Sequence, residues 1–120
     1  MCIRDRQKIR GFCHVYIGQE AITAGIESAI TKNDSIVTAY RQHGIALGRG
    51  ISANAAMAEL FGKATGCVKG KGGSMHFFSK EHNYFGGNGI VGAQIPIGAG
   101  IAFAEKYLSL IHISEPTRPY

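Results

Sequence analysis

The sequence lacks tryptophan and has only three prolines, three cysteines and 8 acidic residues against 13 lysines and arginines. Cys2, Cys13 and Cys67 form no C-x-x-C pair, and no histidine lies at metal-ligand spacing from them. This pattern argues against a disulfide framework and suits a reducing compartment. No uninterrupted apolar run reaches the ~20 residues of a membrane span. The net charge of +5 is mildly basic, and we expect neither a membrane nor a nucleic-acid partner.

The two ends of the chain are related through their coding sequence. The codons ATG-TGT-ATA-AGA-GAC-AG encode MCIRDR, and their reverse complement encodes LSLIHI. One DNA element in opposite orientations therefore predicts that residues 1–6 and 108–120 are translated adapter sequence, to be left out of the fold argument. The alternative is a natural start and a natural tail. We expect residues 7–107 to be the N-terminal part of a larger domain.

Local patterns in this body predict an α/β fold, a parallel sheet flanked by helices. Apolar residues at helical spacing predict a helix within residues 18–30, and a β-branched run predicts a strand over residues 35–40. Ser52 as N-cap and Gly62 as stop bound a second helix. Residues 64–89 are interpreted as one long glycine-rich loop. A last helix is expected over residues 92–107, with Pro96 near its first turn.

The glycine-rich loop contains two motifs that raise the question of anion binding. Lys69 and Lys71 alternate with glycines, which suits a phosphate-bearing ligand, although the Walker spacing is absent and an ordinary flexible surface loop remains the alternative. Gly87, Gly89 and Gly92 form G-x-G-x-x-G, the dinucleotide-binding pattern. That pattern needs a preceding strand, whereas SKEHNYFG predicts a turn, and it needs an acid ~20 residues later, which is missing. We therefore expect these glycines to let the backbone approach another planar or phosphorylated cofactor at the start of a helix.

A second polar cluster follows the predicted strand. Arg41 can offer a planar fork to a phosphate beside the Tyr40 hydroxyl, at the strand end where α/β sheets bind ligands. A surface ion pair for Arg41 and a half-buried Tyr40 are the alternative. His14 alternates with apolar residues, so its own surroundings favour a core histidine. The remaining histidines lack metal-ligand spacing and are given no role: His43, His76 and His82.

Five strings, in one order across residues 7–107, closely resemble a known family: QKIRGFCHVYIGQEA, TAYRQHG, MAELFGKATG, KGKGGSMH and FGGNGIVGAQIPIGAGIAFAEKY. The family is the alpha subunit of the thiamine-diphosphate-dependent decarboxylating component of 2-oxo acid dehydrogenases, pyruvate dehydrogenase type. The resemblance implies that the α/β body is an incomplete piece of a thiamine-diphosphate-binding fold.

The resemblance also implies a set of cofactor-binding residues. His14, Tyr40 and Arg41 would contact chiefly the diphosphate end of thiamine diphosphate. Gly89 and Val91 would present backbone groups to its aminopyrimidine ring, and Ser79 would occupy a further contacting position. The family's catalytic acid is a glutamate of the beta subunit, so no catalytic residue is expected in this chain. Its magnesium motif, Gly-Asp-Gly followed by Asn, would lie beyond these residues.

The function implied by the resemblance is oxidative decarboxylation of pyruvate, with the acyl group passed to the lipoyl disulfide of a partner acyltransferase. Two alpha and two beta subunits would form the component, in bacterial cytoplasm or in the mitochondrial matrix. The alternatives are an acetoin or branched-chain 2-oxo acid dehydrogenase and, from another class, a non-catalytic nucleotide-binding module. Because the magnesium ligands would be missing, we expect these 120 residues alone to bind the cofactor poorly and not to turn over.

Overall fold

The computed structural model of the protein describes residues 8–9 and 11–108. Helices alternate with two strands in this part of the chain, and the predicted α/β class is confirmed. The elements are α1 (Glu20–Ala29), β1 (Ile36–Ala39), α2 (His43–Gly48), α3 (Ala53–Leu60), a 3₁₀ turn (Lys80–His82), β2 (Tyr84–Asn88) and α4 (Gln94–Tyr107). The ends predicted to be adapter sequence, residues 1–6 and most of 108–120, lie outside the described residues.

The two strands pair in parallel, so both carboxyl ends lie at one edge of the sheet. Thr38 is opposite Gly87 and Ala39 is opposite Asn88, with an irregularity nearer the start of β1. The Asn88 side chain adds a cross-strand hydrogen bond, with Nδ2 donating to the Thr38 carbonyl at 3.1 Å. This edge is therefore the place where the residues that follow β1 and β2 meet.

Four of the elements were predicted from local sequence, and the structure confirms them with ends that differ by one or two residues. The helix cap at Ser52 is confirmed in detail, because its hydroxyl accepts a hydrogen bond from the Ala55 N–H at 3.1 Å. Helix α4 begins at Gln94, which puts Pro96 in its first turn as expected.

The interpretation of residues 64–89 as one loop is wrong at its carboxyl end. Strand β2 occupies Tyr84–Asn88, so a strand does precede Gly89, and Gly87 lies inside it. Local propensity missed it because the segment YFGGN contains two glycines, and its strand conformation depends on pairing with β1. Gly87 has a packing role: a Cβ there would lie 2.1 Å from Gln42 Oε1 and 2.4 Å from the Met75 carbonyl oxygen.

The core lies between α2, α3 and the sheet, and it contains a polar network. Tyr84 is buried and donates its hydroxyl proton to Gln42 Oε1 at 2.8 Å, with Thr38 Oγ1 3.0 Å from the same hydroxyl. Burial raises the pKa of Tyr84, so this hydroxyl keeps its proton. The buried apolar residues around this network are Tyr16, Ile45, Ala46, Ile51, Ala56, Phe77 and Tyr84 itself.

Helix α4 carries apolar residues but buries none of them within the described chain. Ile95 and Phe103 are each 71% exposed, and Tyr107 is 80% exposed. None of the described helices is long and apolar enough to cross a membrane. Such an exposed apolar surface is the physical basis for expecting these residues to be poorly soluble on their own.

Candidate functional site

The candidate site lies at the carboxyl edge of the sheet. Tyr40 and Arg41 follow β1 directly, and Gly89 follows β2, with Val91 two residues further along. Adjacent strands are about 4.8 Å apart, so the two segments leave the sheet side by side. We call the surface formed by these four residues and His14 the carboxyl-edge site.

His14 reaches this site from the segment that precedes α1. Its ring packs against the Tyr40 ring, with 4.6 Å between the ring centroids. The core-histidine alternative is wrong, because His14 is only half-buried and the apolar residues with which it alternates, Phe12 and Ile17, are 80% and 83% exposed. The structure thus brings together two of the residues that the resemblance assigned to one end of the cofactor.

Arg41 is exposed at the rim of the carboxyl-edge site. Its Nη1 donates to the Val15 carbonyl at 2.6 Å, which ties the strand end to the segment carrying His14. Within the described residues Arg41 forms no ion pair, and its other guanidinium N–H groups have no partner. The surface ion pair considered as an alternative is therefore not seen there, and the guanidinium has donors to offer a ligand.

Ser74 connects the glycine-rich loop to this site, and sequence reasoning missed it. Its hydroxyl oxygen accepts the His14 backbone N–H at 3.2 Å, and its carbonyl accepts Gln42 Nε2 at 3.2 Å. His43 Nε2 lies 3.0 Å from both Ser74 oxygens. Burial lowers the pKa of His43, the hydrogen bond to Ser74 opposes that effect, and the nearby His14 adds to the lowering. A serine among glycines gives no sequence signal for such a role.

The glycine-rich loop does not form the phosphate cradle that its composition suggested. The fully buried carboxylate of Glu59 accepts four of its backbone N–H groups at 2.6–3.2 Å, from Val68, Gly70, Gly72 and Gly73. Burial raises the pKa of this carboxyl, but the four hydrogen bonds outweigh it, and the net pKa lies below the ordinary 4.5. The donors are thus used by the protein's own anion.

The chain matches the family model of the dehydrogenase E1 component over residues 2–114. The chain belongs to the dehydrogenase E1 component family. This confirms the family resemblance inferred from the five motifs.

Relatives of this E1 component chain are similar along most of its length. It is 64% identical over 99 residues to "Pyruvate dehydrogenase E1 component subunit alpha-1, mitochondrial" of Arabidopsis thaliana, covering 82% of this chain and 25% of that protein. It is 65% identical over 102 residues to the mitochondrial alpha subunit of Dictyostelium discoideum (85% and 26%). It is 60% identical over 100 residues to the alpha subunit of Zymomonas mobilis (82% and 28%). The chain spans about a quarter of the length of the curated relatives it matches.

Ser79 of the E1 component chain lies apart from the other predicted site residues. Its backbone N–H and carbonyl both pair with Tyr84, at the start of β2, and its hydroxyl is 2.6 Å from His82 Nδ1. Gly89 lies five residues beyond Tyr84, about 16 Å along the strand direction. The structure therefore brings His14, Tyr40, Arg41, Gly89 and Val91 to one edge of the sheet and places Ser79 at the other.

Proposed function

We propose that this chain is part of the alpha subunit of a thiamine-diphosphate-dependent pyruvate dehydrogenase (acetyl-transferring), which decarboxylates pyruvate oxidatively and passes the acyl group to a lipoyl disulfide. The observation that carries the proposal is the convergence of Arg41 and Gly89 at adjacent ends of parallel strands. The printed names of relatives that are 60–65% identical support the choice of pyruvate.

The residues at the carboxyl-edge site fit thiamine diphosphate. The unpartnered N–H groups of Arg41, the Tyr40 hydroxyl and the His14 imidazole suit the diphosphate, since a guanidinium fork matches phosphate oxygens. Gly89 fits the flat end, because a Cβ there would take up space 3.3 Å from the His76 ring. When bound, the cofactor supplies a nucleophilic carbon for the ketone and an electron sink for decarboxylation.

The metal, the partners and the compartment belong to the same proposal. Magnesium would offset the diphosphate charge, with ligands outside the described residues, among which no group of three His, Cys, Asp or Glu side chains could hold a metal. A beta subunit would supply the catalytic glutamate in an assembly of two alpha and two beta subunits, and a lipoyl-bearing acyltransferase would accept the acyl group. The names of the eukaryotic relatives include "mitochondrial", which supports the mitochondrial matrix for a eukaryotic source. For a bacterial source the compartment would be the cytoplasm.

The test uses a full-length alpha subunit that carries these residues, co-expressed with its beta subunit. We expect it to bind thiamine diphosphate with magnesium and to oxidise pyruvate faster than acetoin or branched-chain 2-oxo acids. Arg41→Gln should raise the cofactor dissociation constant about 10- to 150-fold, the loss of one or more charge-assisted hydrogen bonds, whereas Lys80→Gln at the far end of the sheet should not. If the enzyme preferred acetoin or a branched-chain 2-oxo acid, pyruvate would be the wrong substrate. If it bound a nucleotide and not thiamine diphosphate, the whole proposal would be overturned.

A further inference from the structure

We propose that His76 is a further cofactor-contacting residue, whose Nε2 accepts a hydrogen bond from the amino group of the aminopyrimidine ring. This inference rests on the proposed function and extends it to a histidine to which the sequence pattern assigned no role. It is carried by the position of the ring beside Gly89 and by the hydrogen-bond partner of Nδ1.

The partner of Nδ1 fixes the tautomer of His76. Nδ1 lies 3.0 Å from the carbonyl oxygen of Gly87. A carbonyl oxygen can only accept, so Nδ1 carries the proton and donates it. In the neutral ring Nε2 therefore has a lone pair and acts as an acceptor.

The free edge of the ring lies at the carboxyl-edge site. A Cβ at Gly89 would be 3.3 Å from His76 Cε1 and 3.5 Å from Nε2, with Met75 Sδ at 3.7 Å. Within the described residues Nε2 has no hydrogen-bond partner, although the side chain is half-buried. An acceptor that is partly withdrawn from water gains most from a donor supplied by a ligand.

One hydrogen bond holds the ring itself, and the nearby backbone is anchored as well. Gly87 lies within β2, so the carbonyl that binds Nδ1 is part of the sheet. On the loop side, the backbone two residues earlier is anchored by Ser74, which accepts hydrogen bonds from His14 and Gln42. His76 is thus positioned before a ligand arrives, which reduces the entropy lost on binding.

The lone pair also indicates which end of the cofactor it meets. A diphosphate has acceptor oxygens only, so a neutral imidazole lone pair placed against it would find no donor. The exocyclic amino group of the pyrimidine is a donor. His76 therefore belongs to the ring end with Gly89, and Arg41 to the diphosphate end.

The experiment compares two ligands in two matched variants of the full-length alpha and beta assembly with magnesium. The ligands are thiamine diphosphate and its analogue with the 4′-amino group replaced by oxygen. In His76→Asn the amide nitrogen can replace Nδ1 toward Gly87, but the acceptor at Nε2 is lost. In His76→Gln the amide oxygen can reach the position of Nε2. Dissociation constants are measured by calorimetry, with His82→Asn, at the other end of the sheet, as the control.

We expect the unmodified assembly to bind thiamine diphosphate more tightly than the oxygen analogue. In His76→Asn the ratio of the two dissociation constants should fall about fivefold, which corresponds to one neutral hydrogen bond. His76→Gln should keep most of the preference and His82→Asn all of it. An unchanged preference in His76→Asn would overturn the inference while leaving the proposed function intact, and equal losses in the Asn and Gln variants would overturn it in favour of a structural role. Failure of the unmodified assembly to bind thiamine diphosphate would instead overturn the proposed function.

Discussion

Replacing Glu59 by glutamine should open the glycine-rich loop. One carboxylate oxygen accepts the Val68 and Gly70 N–H groups, and the other accepts those of Gly72 and Gly73. Whichever way a glutamine amide is turned, two of these N–H groups face an NH₂ group. Leaving a buried donor unpaired costs about 1–3 kcal/mol, so two cost about 2–6 kcal/mol. That is a large share of the ~5–15 kcal/mol that holds a typical protein folded.

The same carboxylate predicts how the loop responds to pH. Because the pKa of Glu59 is lower in the folded state than its ordinary value of 4.5, its contribution is fully present above that value. The contribution is lost as the pH falls below about 4.5 and through the folded-state pKa. The loop of the unmodified protein should therefore loosen in acid, whereas the loop of Glu59→Gln should be loose at neutral pH and show no such step.

Amide hydrogen exchange, read by mass spectrometry on peptides covering residues 64–75, measures this opening directly. A local destabilisation of 2 kcal/mol or more should speed exchange at least about 30-fold at neutral pH. Glu81→Gln, which removes an exposed carboxylate, is the matched control and should leave the exchange unchanged. Equal exchange in Glu59→Gln and the unmodified protein would refute the role given to this carboxylate.

Three further predictions concern the site and the core. Gly89→Ala should weaken thiamine diphosphate binding, since the added Cβ would lie 3.3 Å from His76. Its melting temperature should stay within a few degrees of the original, so that a loss of affinity is not a loss of folding. An unchanged affinity would contradict the placement of Gly89 at the cofactor. Arg49 is 5% exposed and donates to four backbone carbonyls. Arg49→Met should therefore lower the free energy of unfolding by about 2–5 kcal/mol, measured as a lower melting temperature. An unchanged melting curve would show that these hydrogen bonds add no stability. The 120 residues alone should bind thiamine diphosphate and magnesium weakly; micromolar binding in a calorimetric titration would contradict this.

The parts of the fold that local sequence predicted are those that local forces stabilise. Helix α3 has its serine cap, and β1 has its β-branched run. The candidate site was predicted at the carboxyl edge for a related reason, because Tyr40 and Arg41 follow a predicted strand and ligands bind at such ends.

What sequence reasoning missed depends on contacts between distant segments. Helix α2 begins with His43 and Gly44, which have low helix propensity, so its sequence did not predict a helix. It is helical because Ile45 and Ala46 are buried in the core. Glu59 looks like any helical glutamate until the loop folds over it. Ser74 likewise acquires its role only when it meets residues 31 to 60 positions away.

The described structure also limits which N–H donors could meet a diphosphate. The glycine-rich loop gives four N–H groups to Glu59, so they are not available. At the start of α4, the Ala93 and Ile95 N–H groups already donate to the carbonyls of Ile90 and Gly92. The guanidinium of Arg41 keeps N–H donors exposed at the carboxyl edge, so the proposal gives charge recognition there to this side chain. Within the G-x-G-x-x-G pattern, Gly87 has a packing role, and contact with a flat ring is proposed for Gly89 alone.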